Sequence, residues 1–249
     1  MEDGLSKLQR IGEDAGAVGR QLAPLTAEGK RYLVRDHMAA VVQLALALGF
    51  ARSLGWFNAW LYGGLLVAGK VTSALLLTRI NPAVVNARGV RHPMSTRERV
   101  FFSVYIPTSL SIPIIAGLEV GGPGWTHYSA MELVVGAALW TVGTGAIVWA
   151  LAVNAFFEPT VRIQRERGHR VCSSGPYRFI RHPGYAGAIA LTAGIPLLLG
   201  SRWCFVPVAV VTVAFIVRTV YEDRLLREEL GGYDAYAAET QYRLLPLVW

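Results

Sequence analysis

The sequence predicts an all-α, polytopic transmembrane helix bundle of about six spans, and two observations carry this prediction. Hydrophobic residues make up 53% of the chain and charged residues only 16%, well below the quarter or so usual in soluble domains. The apolar residues also fall into long charge-poor stretches: Met38 to Ala51, Trp56 to Leu77, Phe101 to Leu118, Ala130 to Phe157, Tyr185 to Leu199 and Trp203 to Val217. Most approach the roughly 20 residues that a helix needs to cross the hydrocarbon core. The first 35 residues are polar and mixed in charge, unlike a cleavable signal peptide, so the early spans are expected to direct insertion.

The basic residues set the expected orientation. Lys7, Arg10, Arg20, Lys30, Arg31 and Arg35 precede the first span, and Arg79, Arg88, Arg91, Arg97 and Arg99 lie between the second and third. Arg162, Arg165, Arg167, Arg170, Arg178 and Arg181 lie between the fourth and fifth, while the alternate connections carry only Arg52 and Arg202. The positive-inside rule then places both termini in the cytoplasm. The net charge of +7 reports topology and anionic membrane lipid and implies no nucleic-acid partner.

Individual spans have their own signals. The first is short as a strictly apolar run, and Arg52 marks its end or snorkels to an interface. Lys70 sits inside the second, where a snorkelling stem or a helix–helix contact is expected. The last two are separated only by Gly200, Ser201 and Arg202 and are expected to form an antiparallel hairpin. Cys172 and Cys204 fall on opposite sides of the membrane and cannot pair, and no metal-ligand spacing is present. The expected organisation is a polar cytoplasmic arm over 1–35, N-terminal transmembrane helices over 36–153, and a C-terminal functional region over 154–249.

Two clusters carry the chemistry. The run Gly175-Pro-Tyr-Arg-Phe-Ile-Arg-His-Pro-Gly-Tyr-Ala-Gly187 places Arg178, Arg181 and His182 just before an uncharged span. Pro183 suits the first turn of a helix, and His182 before it is pushed towards extended backbone. A helix N-terminus with such flanks suits the carboxylate or phosphate of a polar cofactor. An Arg-rich flank set by topology alone is the other reading. In the second cluster, Arg218 and Glu222 are helical neighbours, as are Asp223 and Arg227. These are either solvated ion pairs or functional groups at membrane depth, and a hairpin returns them to the same face as His182.

Together these runs resemble the signature of integral-membrane methyltransferases, namely the isoprenylcysteine carboxyl methyltransferases and the related phospholipid N-methyltransferases. The resemblance rests on Gly-Pro-Tyr-x3-Arg-His-Pro-x-Tyr-x-Gly and on Arg218-x3-Glu222-Asp223-x2-Leu226, Gly232-Tyr233-x2-Tyr236 and Leu245-Pro246, and it covers roughly Asn154 to Pro246. Many members have two consecutive glutamates where this chain has Glu222-Asp223.

The resemblance implies S-adenosylmethionine as methyl donor, in a cytoplasm-facing pocket roofed by the C-terminal helix. It implies cofactor contacts from Gln164, from His169, Arg170, Val171 and Cys172, from Tyr177, from Arg181, His182, Pro183, Gly184 and Tyr185, and from Glu222 and Asp223. Arg218 is implied as the arginine directed at the substrate and as the catalytic residue. Asn154 and Glu158, four apart at the end of the fourth span, read first as a helix end terminated by Pro159, and a shared helical face beside the substrate is the other reading. The implied partners are membrane lipids and a lipophilic or small-molecule methyl acceptor, its reacting atom O, N or S. Two other readings stay open: an NADPH-dependent membrane reductase of the sterol type, and a non-catalytic scaffold or transporter. Sterol reductases typically show Asn where this chain has Gly184.

Overall fold

The structure is a computed structural model that describes residues 24–122 and 129–249. Most of the polar N-terminal arm, with Lys7, Arg10 and Arg20, lies outside the described residues. Those residues form eight α-helices: α1 (Ala27–Ala51), α2 (Phe57–Ile80), α3 (Pro82–Gly89), α4 (Thr96–Gly121), α5 (Ala130–Val153), α6 (Pro183–Leu199), α7 (Phe205–Glu229) and α8 (Tyr233–Glu239). Five of them, α1, α2, α4, α5 and α7, are long and apolar enough to cross a membrane. The sixth expected span, α6, has 17 residues, which at 1.5 Å per residue gives about 25 Å and falls short of a full crossing.

Local chemistry explains most boundaries. Thr26, Ser95 and Ser129 cap α1, α4 and α5 through side-chain oxygens that accept amide bonds, and Ser129 with Glu132 forms a reciprocal capping box. Pro183 occupies the first turn of α6, as its fixed φ and missing N–H favour. Valines such as Val134, Val142, Val213 and Val217 are exposed on α5 and α7, the outward apolar surface that a bilayer would cover.

The first span is longer than its strictly apolar run, because α1 starts at Ala27 and carries Asp36 within it. Lys70 Nζ lies 2.6 Å from Asp36 Oδ1, so the intramembrane lysine makes a helix–helix ion pair.

The expected α6–α7 hairpin is present, but α6 packs far more extensively on α5. Glycine makes this possible. A Cβ on Gly143 would sit 2.5 Å from Gly187 O, and one on Gly194 would sit 2.6 Å from Gly136 O. The two backbones therefore meet directly, as small residues permit in membrane helix pairs. Farther along the chain, Asn58 Nδ2 donates to Leu198 O at 2.9 Å and ties α2 to the far end of α6.

Candidate functional site

The end of the bundle where α6 begins is organised by Asp223, on α7. It is 1% exposed and accepts from Arg181 Nε at 2.8 Å, Tyr233 Oη at 3.0 Å and Arg243 Nε at 3.1 Å. Arg181 also donates through Nη1 to the carbonyls of Thr240 and Gln241, each at 2.9 Å. The backbone repeats the connection: Arg181 N donates to Tyr242 O and His182 N to Arg243 O, both at 2.9 Å. One carboxylate and one guanidinium thus staple the start of α6, the end of α7, α8 and the C-terminal tail together.

This arrangement corrects the expectation of an α6 N-terminus open to an anion. The amides of Arg181 and His182 are taken by the tail, and those of Tyr185 and Ala186 are taken by His182 O. Arg181 is neutralised by Asp223, and Arg178 is exposed. The buried group left over is His182, whose Nε2 has no hydrogen-bond partner and lies 3.5 Å from Asp223 Oδ1.

Beside this staple lies a cleft of about 700 Å3, part of it open to solvent. Its wall includes His169, Arg170, Val171, Cys172, Tyr177, Arg181, His182, Gly184, Tyr185 and Glu222, which the sequence brought forward from three separate segments. Tyr233 and Tyr236 of α8 complete it, and Tyr236 Oη donates to Tyr177 O at 2.7 Å. Gln164, Pro183 and Asp223 do not line it. Gln164 is 1% exposed, with its amide donating to Phe156 O at 2.7 Å and its carbonyl accepting from Arg167. It supports the loop that carries His169.

Burial pushes the phenols of Tyr177, Tyr233 and Tyr236 well above their ordinary range, so they stay neutral donors. The same cause raises the Cys172 thiol and lowers the pKa of His169. The His169 ring stacks on Phe156 with centroids 4.6 Å apart. Its Nδ1 accepts from Gln164 N at 3.3 Å, which places the proton of the neutral ring on Nε2.

A second cavity, about 1510 Å3 including its open mouth, runs between the helices. Arg218 lines this cavity and not the cleft, whereas Phe157, Glu158, Gly184 and Tyr185 line both. Arg218 is 6% exposed. Its Nη2 lies 3.6 Å from Glu98 Oε1 and donates to Pro159 O at 2.5 Å, and its guanidinium covers the Phe101 ring at 4.2 Å. Arg218 and Glu222 do not touch as a helical pair. The Tyr185 hydroxyl stands between them, accepting from Arg218 Nε at 2.9 Å and donating to Glu222. Asp223 and Arg227 do form the expected pair, at 3.5 Å.

Two placements differ from expectation on the side of the fourth span. Helix α5 ends at Val153, so Asn154 is its C-cap and Glu158 lies beyond it, and the two share no helical face. Asn154 lines only the cleft. Glu158 is buried among Arg162, Arg167 and His92, with both arginines at 3.1 Å. Glu98 is a residue that sequence reasoning missed. Ser95-x-x-Glu98 reads as a local capping box, yet the Glu98 carboxylate turns away to accept from Val161 N at 2.5 Å.

With the geometry in place, comparison with known proteins is informative. The family model described as phospholipid methyltransferase matches residues 131–232. This match is a likeness over less than half of the chain. The matched segment starts at the beginning of α5, so it takes in the fourth span together with the α6–α7 hairpin. Probable protein-S-isoprenylcysteine O-methyltransferases of Oryza sativa subsp. indica and subsp. japonica are each 32% identical over 98 residues, covering 37% of this chain and 51% of theirs. Protein-S-isoprenylcysteine O-methyltransferase B of Arabidopsis thaliana is 30% identical over 83 residues, 32% of this chain and 42% of its own. The chain spans about half the length of the curated relatives it matches. Five helices long and apolar enough to cross a membrane, together with this likeness, support an integral-membrane protein.

Proposed function

We propose that the chain is an S-adenosylmethionine-dependent methyltransferase with both termini in the cytoplasm, acting on a lipophilic acceptor. The observation that carries this reading is the meeting of two cavities at Phe157, Glu158, Gly184 and Tyr185. One opens beside the basic loop that carries Arg162 and Arg170. The other runs between apolar helices, where a lipid-soluble molecule can arrive sideways.

The residues of the cleft fit the proposed cofactor. Glu222 offers a carboxylate to a molecule with positive centres, and the Phe156–His169 stack with Tyr177 and Tyr236 offers aromatic surface to a flat heterocycle. His182 lines the cleft, with its Nε2 turned towards Asp223 Oδ1 at 3.5 Å. Thus His169, Arg170, Val171, Cys172, Tyr177, His182, Tyr185 and Glu222 would hold it, while Asp223, Arg181, Gln164 and Pro183 set the frame. When bound, the cofactor supplies an electrophilic methyl group on a sulfonium.

The protein's own contribution is alignment and exclusion of water, since methyl transfer needs little covalent help. Arg218 faces the inter-helix cavity and suits an anionic acceptor group, its fixed fork of donors giving direction as well as charge. Glu98 holds that guanidinium in place, and Tyr185 couples it to Glu222 across the junction. A carboxylate or thiolate acceptor needs no general base, and an ammonium must first lose a proton.

The reductase reading gains nothing from the site. A Cβ on Gly184 would lie 2.2 Å from Phe157 Cε1, which leaves no room for the Asn that sterol reductases typically show there. Calorimetric titration of the detergent-purified chain tests the choice. S-adenosylmethionine or S-adenosylhomocysteine should bind and NADPH should not, and the reverse preference overturns the proposal.

A further inference from the structure

The start of α1 and the end of α3 share a basic groove that has no lining residue in common with either cavity of the site. Lys30, Arg31, Val34 and Arg35 form its α1 wall, and Val90 and Arg91, just beyond α3, form the other, around about 1120 Å3 including the open side. Backbone contact fixes the two walls against each other, since a Cβ on Gly89 would lie 2.1 Å from Glu28 O. Glu28 is the carboxylate among the lining residues, and Arg31 takes it at 2.6 Å. Lys30, Arg35 and Arg91 have no carboxylate partner among the described residues. Cations from two elements thus converge with their charge uncompensated.

The groove stands where a bilayer presents its phosphates. On the same face of α1, Val34, Met38, Val41 and Val42 are exposed and run away from it as an apolar stripe at helical spacing. Arg52 closes the other end of this helix. Arg35 and Arg52 are 17 residues apart, about 25 Å at 1.5 Å per residue, a little less than the roughly 30 Å of hydrocarbon in a bilayer. Their long side chains therefore reach the two headgroup layers by snorkelling.

We infer that this groove binds one anionic phospholipid of the bilayer, its phosphate held by Lys30, Arg35 and Arg91 and its acyl chains laid along Val34 and the stripe beyond. The converging charge calls for an anion, and the guanidinium forks suit a phosphate. The adjoining stripe calls for a lipid in preference to a soluble anion. This lipid is a bound structural ligand on the outer surface, distinct from any methyl acceptor, and the inference is independent of the methyltransferase reading. It also bears on the site. Arg88, next to Gly89, donates to Tyr32 Oη and to Phe157 O, each at 3.1 Å, so a lipid bridging α1 and α3 steadies Phe157 where the two cavities meet.

Calorimetric titration of the full chain in a nonionic detergent tests the inference without requiring turnover. The probes are dioctanoyl phosphatidylglycerol, dioctanoyl phosphatidylcholine and glycerol phosphate. The natural protein should bind phosphatidylglycerol about tenfold or more tighter than phosphatidylcholine, since each basic residue beside an anionic lipid returns roughly fivefold. Glycerol phosphate, which has no acyl chains, should bind far more weakly than phosphatidylglycerol. Lys30→Gln, Arg35→Gln and Arg91→Gln combined should bring the lipid ratio near one. The same change of charge at three exposed arginines elsewhere, Arg99→Gln, Arg178→Gln and Arg224→Gln, should leave it as it was. Should the first triple variant fail to fold, Arg91→Gln alone, which lies outside the helices, reads the same site and should lower the ratio about fivefold. Equal affinity for the two lipids, a preference that survives loss of the groove cations, or an equal loss in the control variant overturns the inference. Glycerol phosphate binding as tightly as phosphatidylglycerol overturns it too, and marks a soluble-anion site.

Discussion

Arg218 and Glu222 communicate through one atom, the Tyr185 hydroxyl, which accepts from Arg218 Nε at 2.9 Å and donates to Glu222. Arg218 lines the inter-helix cavity and Glu222 the cleft, so this hydroxyl marks the boundary between them. Tyr185→Phe removes the bridge with almost no change of shape. It leaves a buried guanidinium N–H without its partner, at a cost of about 1–3 kcal/mol. Thermal unfolding in detergent should show the loss, and methyl transfer should fall more than cofactor affinity does.

Gly184→Ala tests the packing at the same boundary. Its Cβ would overlap the Phe157 ring, at 2.2 Å from Cε1 and 2.3 Å from Cζ. Because Phe157 lines both cavities, displacing it should impair cofactor binding and acceptor binding together. Overpacking of this kind costs about 1–3 kcal/mol, read as a lower unfolding temperature.

The α5–α6 contact predicts a stronger effect. Gly143→Leu or Gly187→Leu would drive a side chain into the facing backbone, since even a Cβ at these positions lies 2.5–2.6 Å from a carbonyl oxygen. Neither neighbour is a flexible side chain that can swing away. These variants should fail to give monodisperse, heat-cooperative protein in detergent, whereas Gly145→Ala, which meets nothing within 4 Å, should behave as the natural chain.

His169 gives the pH dependence. Burial lowers its pKa from the ordinary 6.5, so the folded protein holds the ring neutral. The unfolded chain then takes up the proton first as pH falls. Stability from this residue is complete above 6.5 and is lost as pH drops through the folded-state value. Protonation would also remove the acceptor that Nδ1 offers to Gln164 N. Unfolding temperatures measured from about pH 7.5 to about pH 5 should fall more steeply for the natural protein than for His169→Asn.

Much of this was legible in the sequence for identifiable reasons. The spans were visible because a bilayer demands long uncharged helices, and the cleft residues His169, Tyr177, His182 and Glu222 were visible because they sit in dense, ordered motifs. The partner of Arg218 was not. Glu98 is 120 positions upstream, and its spacing from Ser95 suggests a local cap, so only the fold reveals where its carboxylate points. The shared-face reading of Asn154 and Glu158 fails for a related reason, because the helix stops at Val153 before their four-residue spacing can act. Asp223 looked like half of an exposed pair with Arg227, and nothing local announces that Arg181, Tyr233 and Arg243 converge on it.

The two-cavity assignment is tested most directly by cofactor affinity in two variants, measured by calorimetry in one detergent. Glu222→Gln should weaken S-adenosylmethionine binding about tenfold or more, the loss of a charge-assisted hydrogen bond worth about 1.5–3 kcal/mol. Arg218→Lys keeps a positive charge opposite the buried Glu98 but loses the fork, and should retain near-normal cofactor affinity while single-turnover methyl transfer collapses. If Arg218→Lys loses cofactor binding as completely as Glu222→Gln, or if Glu222→Gln binds cofactor normally, the division of the site at Tyr185 is wrong.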